Sequence, residues 1–137
     1  MIKGVIFDLH GVLFDFEEGG EPVFKEENIF LVKKMSEKYH LAVLSNASID
    51  YKEHLEKDSL IKYFKTVVLS GVVGFQKPEK EIFDIALNKM NLKPEEVIFI
   101  DDSIENIESG KAVGLNCILY KNVNQLKEEL LSLGIEI

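Results

Sequence analysis

The chain has 137 residues, 46 % of them hydrophobic and 29 % charged, with a net charge of −8. This length fits one domain with one core, and the apolar fraction excludes a disordered chain. The acidity argues against nucleic acid as a partner, because a broad nucleic-acid face rests on Lys and Arg neutralising phosphates. Cys117 is the single cysteine, so no internal disulfide forms, which points to a reducing compartment. No run approaches the roughly 20 apolar residues of a membrane helix. Asp8 arrives too early for a signal peptide, and the expected location is cytoplasmic.

Short apolar runs alternate with longer charged stretches of helical period. Val5-Ile6-Phe7 reads as a first strand ending at Asp8. Asp15 to Pro22, with Gly19-Gly20 as its turn, predicts a short flap-like hairpin, and Glu17, Glu18 and Glu21 read as a solvated rim. Phe24, Leu31, Val32 and Met35 make an apolar stripe on a helix predicted from about Phe24 to Lys38. Leu41 to Leu44 is a second strand, ending at Ser45 and Asn46, and Ser48 predicts the N-cap of a helix running toward Lys57. Thr66 to Leu69 is β-branched and apolar, a third strand. Pro78 suits the first turn of a helix that continues to Lys89. Val97 to Ile100 forms a fourth strand ending at Asp101 and Asp102. Ser103 opens a helix that Gly114 stops, Asn116 to Tyr120 is a fifth strand, and Asn122 caps a last helix through Leu133. Strands alternating with helices predict a doubly wound, three-layer α/β domain of Rossmann-like type, with a parallel sheet and helices on both faces.

Position then singles out the polar residues. In open parallel sheets, ligands bind outside the carboxyl ends of the strands. Asp8, Ser45, Asn46, Asp101 and Asp102 all fall at strand ends, and Lys77 lies in the loop after the third strand. An Asp at a strand end is often only a cap or a turn residue. If the first, second and fourth strands are neighbours, however, the whole set converges. Three close carboxylates need counter-charge, which a hard divalent cation such as Mg2+ supplies through oxygen ligands. Lys77 adds a positive point charge, Ser45 and Asn46 add neutral donors, and Gly11 lets main-chain N–H groups approach an anion. These are the components of phosphoryl transfer.

The same residues carry a resemblance. Phe7-Asp8-Leu9-His10-Gly11-Val12-Leu13 resembles the first motif of the haloacid dehalogenase superfamily, Asp-x-Asp-Gly-Thr/Val-Leu. Leu44-Ser45-Asn46 resembles the second motif, the stretch from Ser70 to Phe83 around Lys77 resembles the third, and Phe99-Ile100-Asp101-Asp102 resembles the fourth. The four occur in order and span nearly the whole chain. The resemblance implies a magnesium-dependent phosphatase. Asp8 would be the nucleophile and a metal ligand, and the main-chain carbonyl of His10 a second ligand. Asp102 would be the main acidic ligand, with Asp101 beside it or just behind it; Ser45 and Lys77, with Gly11, would hold the phosphoryl group, and Asn46 would help orient it or the leaving group.

One position departs from the family. Its phosphatases carry an acid/base aspartate two residues after the nucleophile, where this chain has His10. Three readings stay open. His10 performs the proton transfers itself, it performs them poorly, or the site binds phosphate without turnover as a regulatory module. Dehalogenation is a lesser alternative. The gaps between motifs leave no room for a cap domain, so a single core domain is expected over residues 1–137. An open site suits a phosphorylated macromolecule, or a phosphorylated small molecule enclosed by a second copy in a homo-oligomer. His40 and His54 have no partner at metal-ligand spacing.

Overall fold

The computed structural model describes residues 1–16, 22–57 and 59–137. Gly4–Phe7 forms β1, fully buried and flanked by two parallel strands, β4 (His40–Ser45) and β6 (Val97–Asp101). β5 (Thr66–Leu69) and β7 (Asn116–Leu119) complete a five-stranded parallel sheet in the order β5-β4-β1-β6-β7. Chain progression runs outward from β1 through β4 to β5, then returns to the other side of β1 for β6 and β7. The order therefore reverses between β1 and β6, the crevice where doubly wound sheets bind ligands.

Alternation along each strand divides the core in two. Val5, Phe7, Leu41, Val43, Ile98 and Ile100 point to one face, and Ile6, Ala42, Leu44, Val97 and Phe99 to the other. The first face is covered by α1 (Glu26–Met35), α2 (Asp50–Lys57) and α6 (Val123–Ser132), through Ile29, Val32, Met35, Leu55, Leu126 and Leu130. The second is covered by α4 (Lys80–Met90) and α5 (Ile104–Val113), through Ile82, Phe83, Ala86, Leu87 and Ile107. A four-residue helix, α3 (Ser70–Val73), follows β5 directly. β2 (Phe14–Phe16) and β3 (Pro22–Phe24) pair antiparallel as the expected hairpin. The Gly19-Gly20 turn and Glu17, Glu18 and Glu21 lie outside the described residues. No helix among the described residues is long and apolar enough to cross a membrane.

Some boundaries differ from the sequence reading for local reasons. Phe24 belongs to β3, and α1 begins at Glu26. Pro78 does not open a helix. It follows a cis peptide bond, and α4 starts at Lys80 with Glu79 as N-cap. A tight turn precedes that helix, in which the Gln76 N–H donates to Glu79 Oε1 at 2.9 Å. Asn122 caps α6 as expected: its side chain accepts from Gln125 N at 2.9 Å, and Gln125 Oε1 accepts from Asn122 N.

Candidate active site

β1 ends by delivering Asp8 to the sheet's carboxyl edge, where its N–H donates to the Ile100 carbonyl of β6 at 3.0 Å. Asp8 Oδ1 accepts from Leu9 N at 2.9 Å and pairs with Lys77 Nζ at 2.9 Å. The same ammonium reaches Asp101 Oδ2 at 2.7 Å. Lys77 and Asp101 are almost completely buried, with side chains 2 % and 0 % exposed. Burying an ammonium so completely calls for close carboxylate partners, and here it has two. Asp101 takes further donors from Ser103 N at 2.9 Å and Asn106 Nδ2 at 3.2 Å. Its two oxygens are thus occupied by protein groups, whereas among the described residues none of the hydrogen bonds to Asp8 uses Oδ2.

Lys77 is held from behind. Asn46 Oδ1 accepts from Lys77 N at 2.8 Å, and Asn46 Nδ2 donates to Lys77 O at 3.0 Å. Ser109 Oγ of α5 donates to the adjacent Pro78 carbonyl at 2.5 Å. Asn46, expected on the phosphoryl group, thus has both ends of its amide on the Lys77 main chain. The sequence could not reveal this, because it depends on the β4 loop meeting the loop before α4.

A pocket of about 200 Å³ opens here, lined by Asp8, His10, Ser45, Asn46, Lys77, Asp101, Asp102, Ser103 and Asn106. It gathers every residue assigned to the site from sequence except Gly11, which borders it. Gly11 has φ +88°, and a Cβ there would overlap the Asp102 carboxylate. Glycine is therefore required twice, for the left-handed backbone and for the approach of Asp102. Of the remaining lining residues, the sequence reading gave Ser103 only the opening of a helix and Asn106 no role. Asn106 sits in the first turn of α5, close behind the acidic pair, and that proximity was its available signal. A larger hollow, about 510 Å³, is lined by Met1, Lys3, Lys38, Tyr39 and Glu136 among others, at the amino end of β1. It gathers no comparable cluster.

Charge in the pocket is unbalanced. Asp8, Asp101 and Asp102 each offer a ligand atom within 4.8 Å of the others, against the single ammonium of Lys77. Burial, opposed by Lys77 and reinforced by Asp101, pushes the Asp8 carboxyl up to about 6 from its ordinary 3.8. Asp102 is raised too, by burial and by Asp101. Hard oxygen donors with excess negative charge fit a divalent cation of the magnesium type. His10 is exposed at the rim, its ring stacked near Phe14 at 6.4 Å between centroids.

Residues 23–120 match the family model described as haloacid dehalogenase-like hydrolase. The chain is 25 % identical over 136 residues to flavin mononucleotide hydrolase 1 of Arabidopsis thaliana, covering 99 % of this chain and 55 % of that protein. It is 35 % identical over 94 residues to glyceraldehyde 3-phosphate phosphatase of Methanothermobacter thermautotrophicus, covering 67 % of this chain and 42 % of that one. It thus spans about half the length of these relatives. Among solved structures, an HAD family enzyme of Bacteroides thetaiotaomicron in complex with magnesium and inorganic phosphate superposes with a TM-score of 0.79. That match is 20 % identical and covers 88 % of this chain and 95 % of the other. An HAD-superfamily hydrolase of Ehrlichia chaffeensis gives 0.80 at 19 % identity, over 98 % and 100 % of the two chains. At such identities the structures speak for the fold, and the family match over most of the chain speaks for descent: this protein belongs to the haloacid dehalogenase-like hydrolases.

Proposed function

We propose that the protein is a magnesium-dependent phosphohydrolase that acts through an aspartyl-phosphate on Asp8. The observation that carries this reading is the buried Lys77 ammonium bridging Asp8 and Asp101, with Asp102 beside them, in the crevice between β1 and β6. Curated relatives named as phosphatases of glyceraldehyde 3-phosphate and D-ribitol 5-phosphate support a phosphorylated small molecule as substrate.

The chain's own residues then divide the work. Asp8, Asp102 and the His10 carbonyl would hold the magnesium, with Asp101 behind them, and the ion supplies positive charge for the phosphoryl oxygens. Asp8 Oδ2 attacks phosphorus while Lys77 keeps Oδ1 engaged. The bond from phosphorus to the leaving oxygen breaks, and His10 gives that oxygen a proton. Water then attacks phosphorus and yields its proton to His10. The bond from phosphorus to Asp8 breaks, so inorganic phosphate leaves and the carboxylate is restored. Lys77 and Ser45 hold the transferring group throughout, while Asn46 fixes the Lys77 main chain. Exposure of His10 at the rim suits a proton donor that must meet both an alcohol and water. Between β1 and α1 the described residues contain only the β2–β3 hairpin, which suits a single core domain with an open site.

Acid quenching during turnover of an aryl phosphate, followed by peptide mass spectrometry, tests the covalent step. The expected result is one phosphoryl group on the peptide carrying Asp8, absent in Asp8→Asn. Hydrolysis with the label on another residue contradicts the assignment.

A further inference from the structure

The loop that carries His10 is held by groups outside the catalytic set. Three consecutive carbonyls, of Gly11, Val12 and Leu13, accept hydrogen bonds from the start of α1. Lys25 Nζ reaches Gly11 O at 3.1 Å, Asn28 Nδ2 reaches Val12 O at 2.7 Å, and Lys25 N reaches Leu13 O at 2.8 Å. Asn28 Nδ2 also donates to the Tyr120 hydroxyl at 2.8 Å, and the Lys25 ammonium lies 5.0 Å from the centre of the Tyr120 ring. Tyr120, in turn, donates its N–H to the Asp101 carbonyl at 2.8 Å. A bracket therefore runs from the loop after Asp8, through α1, to the strand end that carries Asp101 and Asp102.

Asn28 shows that this bracket is more than packing. It is 1 % exposed and sits on the core-facing side of α1, where an apolar residue would bury freely. Among the described residues, its Oδ1 is buried without a hydrogen-bond partner. A buried amide with one unsatisfied acceptor lowers stability. Its two donor bonds, by contrast, go to the catalytic loop and to Tyr120. A polar residue kept at such a position marks a local requirement that outweighs packing.

We propose that Lys25, Asn28 and Tyr120 are positioning residues, which set the spacing between the Asp8–His10 loop and the Asp101–Asp102 pair. None of the three lines the catalytic pocket. They act through main-chain carbonyls, so their loss misplaces His10 and Asp102 without removing any reacting group. The inference rests on the phosphohydrolase reading for its kinetic consequence, but not for its structural one.

The test uses Tyr120→Phe, which removes only the hydroxyl, and Lys25→Met, which keeps the stem and removes the ammonium. Lys25→Arg serves as the conservative control, and Asn28→Asp adds a variant without the amide donor. Expected with p-nitrophenyl phosphate and magnesium is a kcat loss of about 10- to 100-fold with KM little changed, the penalty of a misplaced group. Lys25→Arg recovers most of it. Amide hydrogen exchange in the metal-free proteins should quicken at Gly11 to Phe14 and stay unchanged in β4 and β6. Normal kcat with normal loop exchange overturns the proposal, as does exchange that quickens equally in β4 and β6. If the parent hydrolyses no phosphate, the functional reading fails, and the exchange data alone decide whether the bracket holds the loop.

Discussion

Lys77 is the residue on which the site's electrostatics turn. Its ammonium neutralises one charge of the cluster formed by buried Asp8 and Asp101 with exposed Asp102, and leaves the rest uncompensated. Asp8 bears the consequence, with its carboxyl pushed up to about 6 by burial. The folded protein therefore holds the Asp8 proton more tightly than the unfolded chain does. Stability from this group is fully present below pH 3.8 and is lost as pH rises through about 6. Without metal, Asp8→Asn should stabilise the protein at pH 7.5 by about 1 to 3 kcal/mol, given ~1.4 kcal/mol per pKa unit. The gain should fade as pH is lowered toward 4. Urea midpoints in chelator across this range check it, and a pH-independent gain, or none, contradicts it. Individual residues were legible in the sequence to the extent that their chemistry is local. Asp8, Asp101 and Asp102 could be placed because each ends a strand-like run, and Lys77 because it lies in the loop between the third strand and the next helix. The second role of Asn46 could not, because its partners are 31 residues away. Asn28 left one signal, a polar residue three and four positions before Leu31 and Val32 on an otherwise apolar helix face.

At the scale of elements, the turn after β1 matters most. Its left-handed Gly11 lies against Asp102, so the loop and the acidic strand end can approach only if residue 11 lacks a Cβ. Gly11→Ala combines positive-φ strain with displacement of Asp102, a loss of about 1 to 3 kcal/mol in stability. The same change should weaken magnesium binding about tenfold or more, since distorting a carboxylate ligand costs on that scale. Calorimetric titration with magnesium and a thermal melt measure the two effects, and unchanged affinity contradicts the placement of Asp102. The principal strands and helices were readable because buried parallel strands give continuous apolar runs and their helices give period-3.6 stripes. Where the reading slipped, a short-range device had won. Pro78 looks like a helix opener, yet the Glu79 side chain caps the Gln76 N–H and moves the start to Lys80. α3 escaped because a four-residue helix containing Gly71 carries almost no periodic signal.

For the molecule as a whole, strand order gives the scattered motifs one address. Asp8 and Asp101 are 93 positions apart in sequence yet end neighbouring strands, with Phe7 in register with Ile100. Sequence alone could state this only conditionally, since pairing between distant strands leaves no local mark. The order β5-β4-β1-β6-β7 meets the condition and puts the crevice between β1 and β6. Helices on both faces leave that edge, with the pocket around Asp8, open. The reaction proposed for this edge is metal-dependent phosphoryl transfer through Asp8, with His10 moving the protons. The most direct measurement is hydrolysis of p-nitrophenyl phosphate, with and without magnesium, by the parent chain, Asp8→Asn and His10→Asp. The expected result is turnover that requires magnesium and falls about 10³-fold or more in Asp8→Asn. Turnover that survives in Asp8→Asn, or inert parent and His10→Asp proteins with every divalent metal tried, would contradict it.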